Sequence, residues 1–201
     1  MATPAEKVKA LRDQTGAGVM DCKEALAASA DDLEQAVDFL RKRGLASAAK
    51  RAHRETRDGL VASYIHAGSK LGVLIEVNCE TDFVARTEQF RELVKSLAMQ
   101  VAGHSPSARY VGKEDVPAEV AAREREIYRG QMADQQKPPP VLEKIIEGKL
   151  GKFYEEVCLL EQASIRDSTG HTRIKDLVAQ VSAQTGEKIA VRRFARFQVG
   201  E

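Results

Sequence analysis

The chain has 201 residues, 43% of them hydrophobic and 30% charged, with a formal net charge of +1. That balance predicts a globular, water-soluble protein of one medium domain plus a small one. It excludes a chain that is basic all over, and no apolar run approaches the roughly 18 residues that a membrane-spanning helix needs.

The opening Met1-Ala2-Thr3-Pro4-Ala5-Glu6 lacks the apolar stretch of a secretion signal and the Arg/Ser-rich character of a transit peptide, so a cytoplasmic location is expected. Cys22, Cys79 and Cys158 are odd in number and far apart, which fits a reducing cytosol better than a disulfide framework or a metal site.

The first 44 residues read as three short helices. Thr3-Pro4-Ala5-Glu6 is a helix start, with Thr3 as cap, Pro4 at the first helical position and Glu6 three residues after the cap. Val8 and Leu11 supply an apolar stripe, and Gly16 and Gly18 break the helix. A second helix covers about Val19 to Ala28, with Val19, Cys22 and Leu26 on one face. Asp31 and Glu34 open a third, in which Leu33, Val37 and Leu40 share a face before Gly44 ends it. So small a unit has little core and is of the kind that binds something.

Residues 45–56 form a basic helical connector. Arg41, Lys42, Arg43, Lys50, Arg51, Arg54 and Arg57 cluster around it against Glu55 alone, a charge run open to two readings: a solvated helix, or a contact for RNA or an acidic protein. A β-hairpin follows, with strands Leu60 to His66 and Leu71 to Cys79 turning at Ala67-Gly68-Ser69-Lys70. Leu71, Val73, Ile75, Val77 and Cys79 point to one side, which must be buried. After Glu80-Thr81-Asp82-Phe83 comes a long amphipathic helix whose apolar face is Phe90, Leu93, Val94, Leu97 and Val101. One further helix begins near Pro117 and ends before Lys137-Pro138-Pro139-Pro140. Another runs from Val141 to Val157, weakened at Gly148 and Gly151. A short helix at Ile174 to Ala183 and a strand at Ile189 to Val199 close the chain. The fold class is α+β: a helical module of residues 1–44, the connector, and a core of residues 57–201 with a small antiparallel sheet packed against helices.

Catalytic chemistry is not visible in this order of residues. His53, His66, His104 and His171 lie in separate elements without ligand spacing, so no metal is expected. Gly16-Ala17-Gly18 follows a helix, and Asp21 stands where a dinucleotide loop needs its third glycine. No Gly-Lys-Ser/Thr phosphate loop occurs, so neither a bound nucleotide nor another cofactor is expected.

Two stretches are more specific. Leu11-Arg12 with Thr15-Gly16-Ala17-Gly18-Val19-Met20-Asp21-Cys22-Lys23-Glu24-Ala25-Leu26 resembles the amino-terminal signature of the elongation factor Ts family. Glu76-Val77-Asn78-Cys79-Glu80-Thr81-Asp82-Phe83-Val84-Ala85 resembles that family's second signature, and the likeness continues to Ile189-Ala190-Val191-Arg192-Arg193-Phe194. The resemblance implies a ubiquitin-associated-like three-helix module and one activity: binding elongation factor Tu carrying GDP and speeding nucleotide release in translation elongation, with no covalent chemistry. It implies that Thr81, Asp82, Phe83 and Val84 intrude into the GTPase and disturb its Mg²⁺ and phosphate site. It also implies that Arg12, Val19, Met20 and Lys23 contact the GTPase domain, with no stable nucleic acid and no membrane as partners.

The residues alone leave two of these positions open. Phe83, Phe90 and Leu97 are spaced by seven, so a helix continuous from Phe83 would bury all three; Thr81 and Asp82 as a helix start would instead put the ring at a strand-to-helix corner. Met20 suits core packing and partner contact equally.

The chain departs from longer family members in having one hairpin-plus-helix unit, without a second core half and without an inserted helical hairpin. It resembles the short form, which implies a homodimer. Family members often carry a histidine where Gln100-Val101-Ala102-Gly103 stands here.

Overall fold

The computed structural model describes residues 3–132 and 138–201. Within them the chain is α+β. Helices α1 (Pro4–Thr15), α2 (Val19–Ala28) and α3 (Leu33–Arg51) precede strands β1 (Asp58–Ile65) and β2 (Leu71–Cys79). The short α4 (Asp82–Ala85) and the long α5 (Glu88–Gly103) follow, then α6 (Ala118–Gln131), α7 (Pro139–Val157), α8 (Ile174–Thr185) and β3 (Ala190–Gln198). The strands form one sheet in the order β1-β2-β3. Its sense is antiparallel: the His66 N–H donates to the Leu71 carbonyl across the hairpin, and the Val199 N–H, just after β3, donates to the Lys70 carbonyl just before β2. Val73, Ile75, Val77 and Cys79 are buried on one face of β2, as their alternation requires. Phe90, Leu93, Val94, Leu97 and Val101 are likewise all buried along α5.

The chain forms two compact units. One comprises Met1–Ala62, Ile75–Ser96 and Lys175–Arg192; the other comprises Ser63–Leu74, Leu97–Ile174 and Arg193–Glu201.

In the first unit, α1 starts as its sequence dictates. The Thr3 side chain and the Glu6 carboxylate cap each other's backbone N–H groups, and Gly16 closes the helix at φ +63°. Leu11, Cys22, Ala25, Leu26 and Ala36 make the core of the module, with Val8, Val37, Phe39 and Leu40 packed on it. The third helix differs from expectation in three respects. Asp31 takes φ +64° and donates its N–H to Leu26, closing the preceding turn, so Asp32 rather than Asp31 becomes the cap and accepts from the Gln35 N–H. Ala36 is the buried residue of that face while Leu33 is exposed. Gly44 does not end the helix: it is buried inside α3, facing the Ala179 carbonyl and the Ala183 side chain of α8, and the helix continues to Arg51. Packing outweighs a propensity cost of about 1 kcal/mol.

In the second unit, α6 and α7 lie antiparallel. Arg125 pairs with Glu147, Arg129 with Glu143, and the Lys149 ammonium sits 5.4 Å from the Tyr128 ring centre. A helical hairpin is therefore present, contrary to the reading that this chain has none. Neither Gly148 nor Gly151 interrupts α7, because Ile146, Leu150, Phe153 and Val157 anchor one face in the interior. Val116, Leu150, Phe153, Val157 and Cys158 form the local core. The loop-facing end of α5 is held by Gln100, which is 1% exposed. Its amide donates to Gln162 and to the Ala163 carbonyl and accepts from the Ile165 N–H.

Candidate partner-binding site

The corner between β2 and α5 decides the question left open at Phe83. Thr81 has extended backbone and caps α4, its hydroxyl accepting from the Val84 N–H at 3.4 Å. Six residues later a second threonine restarts the helix. The Thr87 hydroxyl donates to the Val84 carbonyl at 2.8 Å and accepts from the Phe90 N–H at 3.3 Å, so α5 is capped afresh. The seven-residue register is broken between Phe83 and Phe90. Phe90 is fully buried; Phe83 is 78% exposed.

The other three residues of the corner divide. Asp82 is exposed in the first turn, where the helix dipole favours an acid, and pairs with Arg86 at 2.8 Å. A surface pair of this kind contributes little and is readily exchanged for another partner. Thr81 is exposed in its side chain, and its hydroxyl both donates to Glu187 and accepts from the Val84 N–H. Val84 is buried and turned inward, so it supports the corner from beneath rather than lying on its surface.

What holds the corner is a set of residues remote in sequence. The Glu187 carboxylate accepts from the Glu80 N–H at 3.0 Å, the Thr81 N–H at 3.1 Å and the Thr81 hydroxyl at 2.6 Å. Glu80 in turn accepts from the Lys188 N–H at 2.5 Å and from Arg54 at 3.2 Å. The Lys188 bond, with Arg54 adding to it, holds the Glu80 carboxyl below the usual glutamate range against the opposing effect of burial. The Lys188 ammonium donates to the carbonyls of Ala52 and Arg54, just beyond the end of α3. Arg54 belongs to the basic run and Glu80 to the second signature, but neither Glu187 nor Lys188 stands out in sequence, because their partners at this corner are more than 100 residues away.

The amino-terminal candidates are all on the surface. Val19 is 44% exposed and Met20 73% exposed in the first turn of α2, with Lys23 one turn further along. Met20 is thus no core residue. Arg12 is exposed in the last turn of α1. The amides of Gln180 and Gln184 on α8 both donate to the Thr15 carbonyl, at 2.6 and 2.8 Å, which seats the end of α1.

The basic run around the connector is largely spent within the chain. Arg41 pairs with Asp38, Arg43 with Asp21 and Glu24, Arg54 with Glu80 and Arg57 with Glu55, while Arg51 donates to the Ser182 carbonyl. Among the described residues no group of His, Cys, Asp and Glu is arranged to hold a metal ion. All three cysteines are buried and free; burial pushes the Cys79 and Cys158 thiols up to about 11, so neither is a thiolate at neutral pH. Among the described residues no helix is long and apolar enough to cross a membrane.

An α+β protein that opens with three helices and carries an exposed aromatic ring at a strand-to-helix corner is the class these features define. Comparison with known proteins gives its family. The family model described as Elongation factor TS matches residues 20–201. The chain is 57% identical to Elongation factor Ts of Moorella thermoacetica over 98% of its own length and 95% of the relative's. It is 54% identical to that of Fervidobacterium nodosum over the whole of both chains, and 53% identical to that of Thermodesulfovibrio yellowstonii over 100% and 98%. The chain belongs to the elongation factor Ts family and is accordingly a translation elongation factor.

Proposed function

We propose that this chain is the guanine nucleotide exchange factor for elongation factor Tu, and that it acts by inserting Phe83 into the GTPase. The observation that carries the reading is a phenylalanine 78% exposed at a corner of the sheet that a carboxylate clamp holds in place. A ring left in water costs about 1.5–3 kcal/mol of forgone burial, so its exposure is a feature to be explained by a partner. On docking, an aromatic side chain buries about 150–250 Å² with few torsions to freeze.

The energetics of exchange suit such a device. A nucleotide held at nanomolar affinity carries about 12 kcal/mol of binding free energy and leaves slowly unaided. Much of that hold runs through Mg²⁺ bridging the phosphates to the GTPase. A wedge that favours a GTPase shape with a displaced Mg²⁺ site weakens the nucleotide, and by reciprocity the nucleotide weakens the wedge by the same factor. Dissociation is catalysed and no covalent bond changes. Asp82 exchanges its Arg86 partner for donors on the GTPase, and Val84 keeps the corner rigid. Arg12, Val19, Met20 and Lys23, on the module of residues 1–44, dock on the GTPase domain. The core of residues 57–201 pairs with a second copy in the cytoplasm. The exposed side chains of Ile65, Leu74, Phe197 and Val199, which line a shallow groove at the hairpin end of the sheet, are the face that a homodimer would cover.

The test is release of a fluorescent GDP from purified elongation factor Tu. Phe83→Ala should slow release at least tenfold with an unchanged melting temperature, since the ring makes no core contact. Release at the wild-type rate would overturn the reading.

A further inference from the structure

We infer that Glu187 is a positioning residue for nucleotide exchange: its carboxylate clamps the strand end at Glu80 and Thr81 and so fixes the direction in which Phe83 projects. The inference rests on the wedge reading of Phe83 and adds to it a residue more than 100 positions away. Three hydrogen bonds converge on the two oxygens of this one side chain. Oε2 accepts the successive backbone N–H groups of Glu80 and Thr81, at 3.0 and 3.1 Å, and Oε1 accepts the Thr81 hydroxyl at 2.6 Å.

The third bond matters most. A hydroxyl has one proton and two lone pairs, so donating to Glu187 turns a lone pair toward the Val84 N–H, which it accepts at 3.4 Å. The clamp thereby sets the cap of α4, the four-residue helix on which Phe83 stands. A helix this short has almost no stability of its own and takes its orientation from its ends.

Glu187 is itself held from behind. Gly186, at φ +74°, donates its N–H to the Ser182 carbonyl at the end of α8. The Ser182 hydroxyl, 2% exposed as a residue, donates to the Glu187 carbonyl at 2.5 Å. On the far side Lys188 is tied through its N–H to Glu80 and through its ammonium to Ala52 and Arg54. The carboxylate therefore reaches Thr81 from a backbone that is fixed on both flanks, which a solvated surface glutamate would not be. Charge-assisted bonds of this kind are about twice as strong as neutral ones.

The experiment combines exchange kinetics with a probe of the corner. Glu187→Ala should slow GDP release from elongation factor Tu roughly tenfold, while the concentration giving half-maximal release stays within about twofold. Glu187→Gln, whose amide oxygen can still accept a backbone N–H while its NH₂ donates to the Thr81 hydroxyl, should keep release within about threefold of wild type. In a Phe83→Ala background, Glu187→Ala should slow release no further, because a residue acting through the ring has nothing left to position. Additional slowing there by the same factor would show a general structural role and overturn the inference.

The chain has no tryptophan, so Phe83→Trp supplies a single tryptophan at the corner, excited selectively over the four tyrosines. Its residual anisotropy in the free chain should fall when Glu187→Ala is added; an unchanged value would also overturn the inference. This arm does not involve elongation factor Tu. If Phe83→Ala exchanges at the wild-type rate, the wedge reading fails while the anisotropy still judges the clamp. Should Glu187→Ala fail to fold, Glu187→Asp, one methylene too short to reach both contacts, replaces it in every arm with the same expected and overturning results.

Discussion

Phe83 and Phe90 are seven residues apart on what could have been one helix, yet one faces water and the other the interior. The difference is made by Thr87, which spends its hydroxyl on Val84 and Phe90 and so ends one helix and begins another. Aromatic spacing alone could not settle this, because threonine is tolerated within helices as well as at their starts. Gly59 is a second position where a single residue decides local geometry. It sits at φ +146°, and a Cβ there would lie 2.2 Å from the Val77 carbonyl oxygen on the neighbouring strand. The clash is with backbone and cannot be relieved by a rotamer. Gly59→Ala should cost about 2–4 kcal/mol. A scanning calorimeter should accordingly read a melting temperature lower by roughly 5–10 °C.

At the scale of elements, the helices were legible wherever the apolar period was strong. The bounds of α2 agree with the sequence reading, those of α1 with its capping signals, and every residue assigned to the buried face of α5 is buried. Glycine was the poorer guide at Gly44, which lies inside α3 instead of ending it, because the helix gains more from packing than it loses at one position; Gly148 and Gly151 lie within α7 as the sequence reading placed them. The hairpin of α6 and α7 was missed for a related reason: its antiparallel pairing is written in ion pairs between residues up to 22 apart, such as Arg125 with Glu147, and not in any periodic signal.

Gly44 offers a direct test of this balance. Its φ is not in the left-handed region, and an added Cβ would lie 3.8 Å from the Ala179 carbonyl and 4.0 Å from the Ala183 methyl, which is ordinary contact. Gly44→Ala should stabilise the protein by about 0.5–1 kcal/mol. Thermal unfolding would show this as a rise of a few degrees, and a fall would mean that the contact with α8 has no room for a methyl group.

For the whole molecule, the apolar face at the hairpin end of the sheet bears on assembly. Leu74 is 49% exposed, Phe197 73% and Val199 72%, a grouping that favours burial against another surface. If a second copy covers it, Phe197→Lys would place an unpaired charge in an apolar interface and weaken dimerisation at least a hundredfold. Light scattering should then report a dimer for the wild type and a monomer for the variant at micromolar concentration. A monomeric wild type would reject the homodimer.

The order of amino acids by itself determined the helical module, the hairpin with its buried alternate residues, the amphipathic α5 and the family, because each is a local pattern or a contiguous motif. Tertiary structure alone decided that the Phe83 ring stands in water, that Val84 turns inward, and that a carboxylate at Glu187 holds the corner between them. Those outcomes depend on groups brought together by folding from distant parts of the chain, and hydrogen bonds spanning more than 100 residues leave no period for a sequence to display.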